Sequence, residues 1–435
     1  MDVLSNAVLI IFIVTYVAIS TEKVHRTALS MCGMSAVAFT LYVAALLGHP
    51  NGATFTELVH AIEWTTILFV TGQMIIVTVA RASGMFQYVA LRLSSTACGE
   101  GRRLFSIFLV FVFFISLFFD TTSTMLIMAP LTVEVCGAMD LDIKPFLISE
   151  ALVANYASIP SIVGDVPNLV IASSTNIDPA LMFVSLIPLS TLYFIITTPI
   201  LLRVFEDKLV PIHADRVDEM ACIDPVSMIK SRRDFYASVV AMSVLVLGFT
   251  IGPSVSKEVP LEASLIVFAI ASFMLVLKQS DVDKHLAQVG WGTIFFLIGL
   301  FGLVSAFHLT GIIDELVYAV NSMIGGSESA ATLFITVVPA MISGVIDNVP
   351  IAAVLAPLVV GIHNMPILPL ALVVAVNVGG CLLPIGSPAN VLALAYSEHE
   401  GDPIGLFRFA KIVSPIAVLM LLTAVGYLLL LSLIM

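Results

Sequence analysis

An all-α integral membrane fold built from two inverted repeats is what this sequence predicts, on three observations. Of its 435 residues, 59% are hydrophobic and 11% charged, and the mean hydropathy is +1.09; no water-soluble globule of this size hides so much apolar surface. Apolar stretches recur along the whole length at the roughly 20 residues a helix needs to cross the hydrocarbon core. The sequence also repeats itself: the only two tryptophans, Trp64 and Trp291, stand 227 residues apart and open WTTILFVTG and WGTIFFLIG.

Taken in order, the spans read as 3–20, 27–47, 62–82, a re-entrant hairpin over 103–138, 146–175 and 181–203. The second half repeats that order as 236–252, 260–277, 290–310, a hairpin over 329–363, 366–396 and 412–434. The first segment lacks a basic n-region and a small-residue cleavage pattern, so it reads as a retained helix. Segments 86–97 and 313–323 read as short helices along the membrane surface ahead of each hairpin. Two arms meeting at Asp120-Thr121-Thr122-Ser123 favour a hairpin over two crossings, because polar non-helical backbone at membrane depth survives only inside protein or beside a watery cavity. Residues 1–203 form the first repeat and 236–435 the second. Between them runs a cytoplasmic linker, 204–235, which holds 12 of the chain's 48 formal charges. Five spans and one hairpin per copy is an odd number, so the second copy lies upside down relative to the first.

With the N-terminus outside, 17 of the 18 lysines and arginines fall in the cytoplasm and Lys257 alone falls outside, the split that the positive-inside rule expects. Both termini are therefore expected on the periplasmic or extracellular face of the cell (inner) membrane. Net charge is -12, carried by solvated connections, and nucleic acid is not an expected partner. Cys32, Cys98, Cys136, Cys222 and Cys381 are scattered without a close pair, so neither a disulfide framework nor a metal or redox motif is expected. No cofactor is expected either.

Asp120 and Asp347 are 227 apart, each ten residues before a proline; Asn155, Gly164 and Asn168 match Asn377, Gly386 and Asn390 at an offset of 222. Glycines and prolines in NYASIPSIVGDVPN and NVGGCLLPIGSPAN break the helix ladder, and such breaks cradle ions and substrates in inverted-repeat transporters. Secondary transport with alternating access is the expected function. Asp120, Asp165 and Asp347 are the candidates for proton or cation coupling, since ionisable groups in spans are costly. Asp165 is the sharpest of them, as its equivalent is Ser387; one of Asp120 and Asp347 could instead simply cap a helix. Candidate substrate ligands are Thr121, Thr122, Ser123, Asn155, Ser158, Ser161, Asn168, Asn348, Asn377, Gly380, Ser387 and Asn390. Cys381 reads as packing, and Glu134 and Glu150 as water-contacting residues near element ends. No lysine or arginine falls inside a span away from its ends, which favours a neutral or cationic solute.

TEKVHRT (21–27), FDTTSTMLIMAP (119–130), VGDVPNLVIAS (163–173), DNVPIAAVLAP (347–357) and IGSPANVLAL (385–394) resemble segments of the ion transporter superfamily. Within it they are most similar to the branch of arsenite efflux permeases, sodium/proton antiporters and the P protein, and the likeness covers essentially the whole chain. It implies a scaffold domain, a transport domain carrying hairpins and broken helices, elevator-type access, and candidate partners in a second copy and a cytoplasmic ATPase subunit. Dicarboxylate relatives carry Ser-Asn-Thr at both tips, and this chain does not. Arsenite (antimonite) efflux by proton antiport is the favoured reading, with sodium/proton antiport the alternative and dicarboxylate transport behind both. An enzyme is not expected: Ile162-Val163-Gly164-Asp165 lacks the first glycine of the intramembrane aspartyl protease signature, and HExxH and GxSxG are absent. A passive channel suits duplicated breaks and hairpins less well than alternating access does.

Overall fold

The computed structural model describes residues 2–20, 24–97, 100–211, 225–255, 262–278, 281–362 and 365–434. Lys23, Cys98, Arg216, Cys222, Lys257 and linker residues 212–224 lie outside the described residues.

The elements of the described residues are helical: α1 Val3–Ser20, α2 Arg26–Leu46, α3 Phe55–His60, α4 Trp64–Ala82, α5 Met85–Ser94, α6 Gly101–Ser116, α7 Thr121–Met139, α8 Ile143–Ala157, α9 Val166–Thr175 and α10 Pro179–Val204. They continue as α11 Arg232–Val255, α12 Ala263–Leu277, α13 Val282–Ala287, α14 Trp291–Leu309, α15 Ile312–Ile324, α16 Glu328–Ser343, α17 Asn348–Gly361, α18 Ile367–Gly380, α19 Pro388–His399 and α20 Leu406–Ser432. Among the described residues, α2, α4, α7, α10, α14 and α20 are each long and apolar enough to cross a bilayer, and α15 with α16 form a pair bent by 119°. The protein is a multi-pass membrane protein. Arm α7, expected as half of a re-entrant hairpin, thus has the length and composition to span on its own.

Helix bounds follow the sequence offset. Adding 227 to α4, to α6 and to α3 gives α14, α16 and α13 residue for residue. The short helices α3 and α13 are additions to the expected set. Each precedes a tryptophan that anchors back on it: Trp64 Nε1 donates to Val59 O at 3.0 Å and Trp291 Nε1 to Leu286 O at 2.9 Å. Packing comes in related couples: α2 on α14 with α12 on α4, α6 on α8 with α16 on α18, and α7 on α19 with α17 on α9.

Aspartates and prolines end and restart these helices as the sequence suggests. Asp120 caps α7 through the Ser123 amide at 2.9 Å, and Asp347 caps α17 through the Val349 amide at 3.1 Å. Capping therefore holds for both tip aspartates rather than for one. The chain between α8 and α9 is non-helical from Ser158 to Asp165, and Pro167 opens α9. Between α18 and α19 the break runs through Pro384–Gly386 to Ser387 and Pro388. Gly164 and Gly386 sit where backbone passes backbone: a Cβ on Gly164 would lie 2.5 Å from Ser158 O and 2.9 Å from Ser116 O, and one on Gly386 would lie 3.0 Å from both Gly380 O and Ser343 O.

Candidate functional site

The two breaks are laced together by their asparagines. Asn155 Nδ2 donates to Ala151 O and to Asn390 Oδ1 (3.0 Å), and its own Oδ1 accepts from Ser387 Oγ at 2.6 Å. Across the pseudo-repeat, Asn377 Nδ2 donates to Val373 O and to Asn168 Oδ1 (2.7 Å), and its Oδ1 accepts from Ser158 Oγ at 3.3 Å. Asn168 Nδ2 holds the carbonyls of Ser158 and Ser161, and Asn390 Nδ2 holds those of Gly380 and Leu383. All four asparagines are fully buried. Their amides satisfy carbonyls that the broken ladders would otherwise leave bare, so these side chains fasten one break to the other. Ser158, Ser161, Gly380 and Ser387 are drawn into the same lacing, and Cys381 Sγ turns to Asn377 O at 3.5 Å.

Asp165 stands apart from this lacing. Its Oδ1 accepts from the Val166 amide at 2.9 Å and lies 3.4 Å from Thr121 Oγ1 at the first tip, while its Oδ2 accepts from Asn348 Nδ2 at 3.1 Å at the second. One buried carboxyl thus touches both hairpins and opens α9. Asn348 Oδ1 is buried without a hydrogen-bond partner among the described residues.

Two polar residues that the sequence reading missed complete the surroundings. Arg26, at the start of α2, pairs with Asp347 Oδ2 at 2.9 Å and lies over the Phe296 ring at 5.2 Å. The expectation that no basic residue reaches the site is therefore corrected: Arg26 enters from the polar gap between the first two helices, a place that charge topology assigns to water. Its signal was the basic TEKVHRT segment. Gln73 of α4 donates to Val163 O at 3.1 Å and approaches Phe118 O at 3.4 Å, tying the first tip to the first break; a lone glutamine inside an apolar span was its signal. Glu134 is exposed as expected, but Glu150 is fully buried, because α8 runs through the protein interior rather than along its rim.

Two cavities meet at Thr122. One of about 400 Å³ is lined by His25, Arg26, Asp347 and Pro388. The other, about 680 Å³, is lined by Thr78, Arg81, Gln87, Ser123, Lys230 and Thr293. Both lie toward the ends of α2, α4 and α14 that carry Arg26, Arg81 and Gly290. Toward the opposite ends, beside Glu63 and His308, lies a cavity of about 40 Å³. Among the described residues no group of three or more histidines, cysteines or acids is placed to hold a metal ion.

A sequence model of the CitMHS family, described as citrate transporter, matches residues 16–376 and 325–434. An uncharacterized transporter of Mycobacterium tuberculosis is 29% identical over 411 residues, covering 92% of this chain and 92% of that protein. The P protein of Mus musculus is 24% identical over 498 residues, covering 95% of this chain and 59% of that protein. Among solved structures, the YdaH transporter of Alcanivorax borkumensis superposes with a TM-score of 0.61 at 17% identity, over 94% of this chain and 98% of that one, a likeness of fold.

Proposed function

The chain belongs to the CitMHS citrate transporter family, and from that premise we propose that this membrane transporter is a secondary active carrier that exports arsenite in exchange for protons, with Asp165 as the coupling carboxyl. The observation that carries this reading is the position of Asp165, buried and hydrogen-bonded to the tips of both hairpins. A carboxyl there changes its bonds to both tips when it gains or loses a proton: ionised it accepts from Asn348 and Thr121, and protonated it donates one O–H instead. Proton binding and tip geometry are then one event.

The solute reading follows from charge. Asp120, Asp165 and Asp347 outnumber the one guanidinium among them, Arg26, which Asp347 already neutralises. A neutral, hydroxyl-rich solute such as arsenous acid meets no repulsion there, and it finds acceptors and donors in Asn348 Oδ1, Thr122 and Ser123. The asparagine lacing serves as the brace that keeps the breaks rigid, and Asp120 and Asp347 serve as caps. We read the halves as inverted repeats whose hairpins and broken helices form one transport domain moving in elevator fashion against a scaffold, with the larger cavities open toward the cytoplasm, the side on which the basic residues of those cavities stand.

A second reading, export or uptake of a carboxylate such as citrate, is favoured by Arg81 and Lys230 in the larger cavity and by the description of the family. Proteoliposomes holding a pH gradient separate the readings. Arsenite or antimonite is expected to collapse the gradient. Collapse by sodium or lithium alone would make the chain a cation/proton antiporter, and collapse by citrate alone would move the assignment to carboxylates.

A further inference from the structure

Glu150 lies outside the site described above, at the middle of α8, and its side chain is fully buried. Its Oε1 accepts from Thr132 Oγ1 of α7 at 2.5 Å, and its Oε2 has no hydrogen-bond partner among the described residues. Among the described residues no cation pairs with it. On α7, Cys136 stands buried one turn beyond Thr132, while Glu134 is exposed. Helix α18 carries no ionisable residue. The charges of the other helices packed on α8 stand exposed near helix ends: Arg102 and Arg103 on α6, Arg203 on α10, Glu398 and His399 on α19, Arg408 and Lys411 on α20. A carboxyl so placed takes up a proton rather than remain a bare buried charge.

Packing alone does not call for an acid here. At the equivalent places in the second half, Leu372 replaces Glu150 and Val359 replaces Thr132, and both are buried apolar side chains. The first half thus spends a carboxyl and a hydroxyl where its counterpart makes the same helix contact with hydrocarbon. The partners also share a helix face: Thr121, which reaches Asp165, and Thr132, which bonds Glu150, are eleven residues and so three turns apart on α7, roughly 16 Å along the axis. Arm α7 therefore touches two buried carboxyls of the α8–α9 unit, at two levels of its buried face.

We propose that Glu150 is a proton-binding site distinct from Asp165, held as the neutral acid between α7 and α8 and emptied when water reaches it between those helices. On release the Glu150 O–H bond breaks, its electron pair stays on the carboxylate, and the proton passes to water admitted between the two helices. The first hairpin then carries two proton-linked contacts and the second hairpin one. This rests on the reading of the chain as a proton-coupled carrier.

Infrared difference spectroscopy of the purified full chain in lipid, with pH stepped and no solute added, tests it by reading the C=O stretch of protonated carboxyls. A band present at neutral pH is expected to disappear in Glu150→Gln. In Thr132→Val, which keeps the acid and removes its donor, the band is expected to move to higher wavenumber; in Asp165→Asn this component should stay. A spectrum unchanged by Glu150→Gln, or a band that does not move in Thr132→Val, overturns the proposal. Solute flux measured in the same liposomes distinguishes the two levels: an intact Glu150 band in a protein that exchanges no protons sinks the carrier reading alone.

Discussion

Asp165 and Ser387 occupy equivalent places, each just before a helix restarts after a break, yet they face different ways. Ser387 Oγ turns inward to Asn155 and completes the lacing of the breaks. Asp165 is released from that duty because Ser158 supplies the matching bond to Asn377, and its carboxyl reaches the two hairpin tips instead. The same backbone device thus braces one half and, in the other, leaves a carboxyl free to meet both tips. Pseudo-symmetry sets the frame, and this pair is one of the places where it fails; in the proposed function it is the pair on which coupling turns.

If the lacing is the brace, breaking it should cost most. Asn155→Leu leaves Asn390 Oδ1 and Ser387 Oγ buried without their partner, and a loss of about 3 kcal/mol or more is expected in thermal or denaturant unfolding in detergent. A variant as stable as the wild type would show that water replaces the amide freely. The glycines sharpen the comparison next. Gly164→Ala drives a methyl against the Ser158 carbonyl, whereas Gly386→Ala meets its nearest carbonyls at 3.0 Å; the first should cost about 1–3 kcal/mol and the second measurably less. Equal losses would mean that the two breaks are equally tight.

Ser387→Ala removes one donor to Asn155 and should lower stability by about 1 kcal/mol while proton-coupled exchange persists. Lost coupling with unchanged stability would transfer the sensing role to the second half. Arg26→Gln, which opens a partly exposed ion pair, should change stability by less than about 1 kcal/mol and weaken the inhibition of arsenite flux by added carboxylates, read as a rise in their inhibitory concentration. Unaltered inhibition would mean that anions do not approach the Asp347 tip.

The capped helix starts and the breaks were legible because local chemistry writes them: aspartate before a helix, proline and glycine inside an apolar run, and a repeat that fixes their spacing. The partners were not. Asn155 meets Asn390 across 235 residues and Asn377 meets Asn168 across 209, and no local pattern tells a ligand amide from a lacing amide. Arg26 was assigned to water by a topology rule that counts charges on each side but does not see a helix start leaning onto a hairpin tip. Glu150 was misplaced for the converse reason. Its position near an expected span end suggested solvent, while packing by α7 on one side and α19 on another encloses it. The short helices α3 and α13 escaped notice because six residues are too few for a periodic signal, although their equal spacing from the two tryptophans marks them in retrospect.

The central claim is that coupling belongs to Asp165 and not to its counterpart. Its most direct measurement is the proton movement per arsenite transported, recorded with a pH-sensitive dye in proteoliposomes of wild type, Asp165→Asn and Ser387→Ala at matched protein content. Arsenite should move protons in wild type and Ser387→Ala and none in Asp165→Asn. Arsenite-driven proton movement that survives in Asp165→Asn at the wild-type ratio would contradict the account.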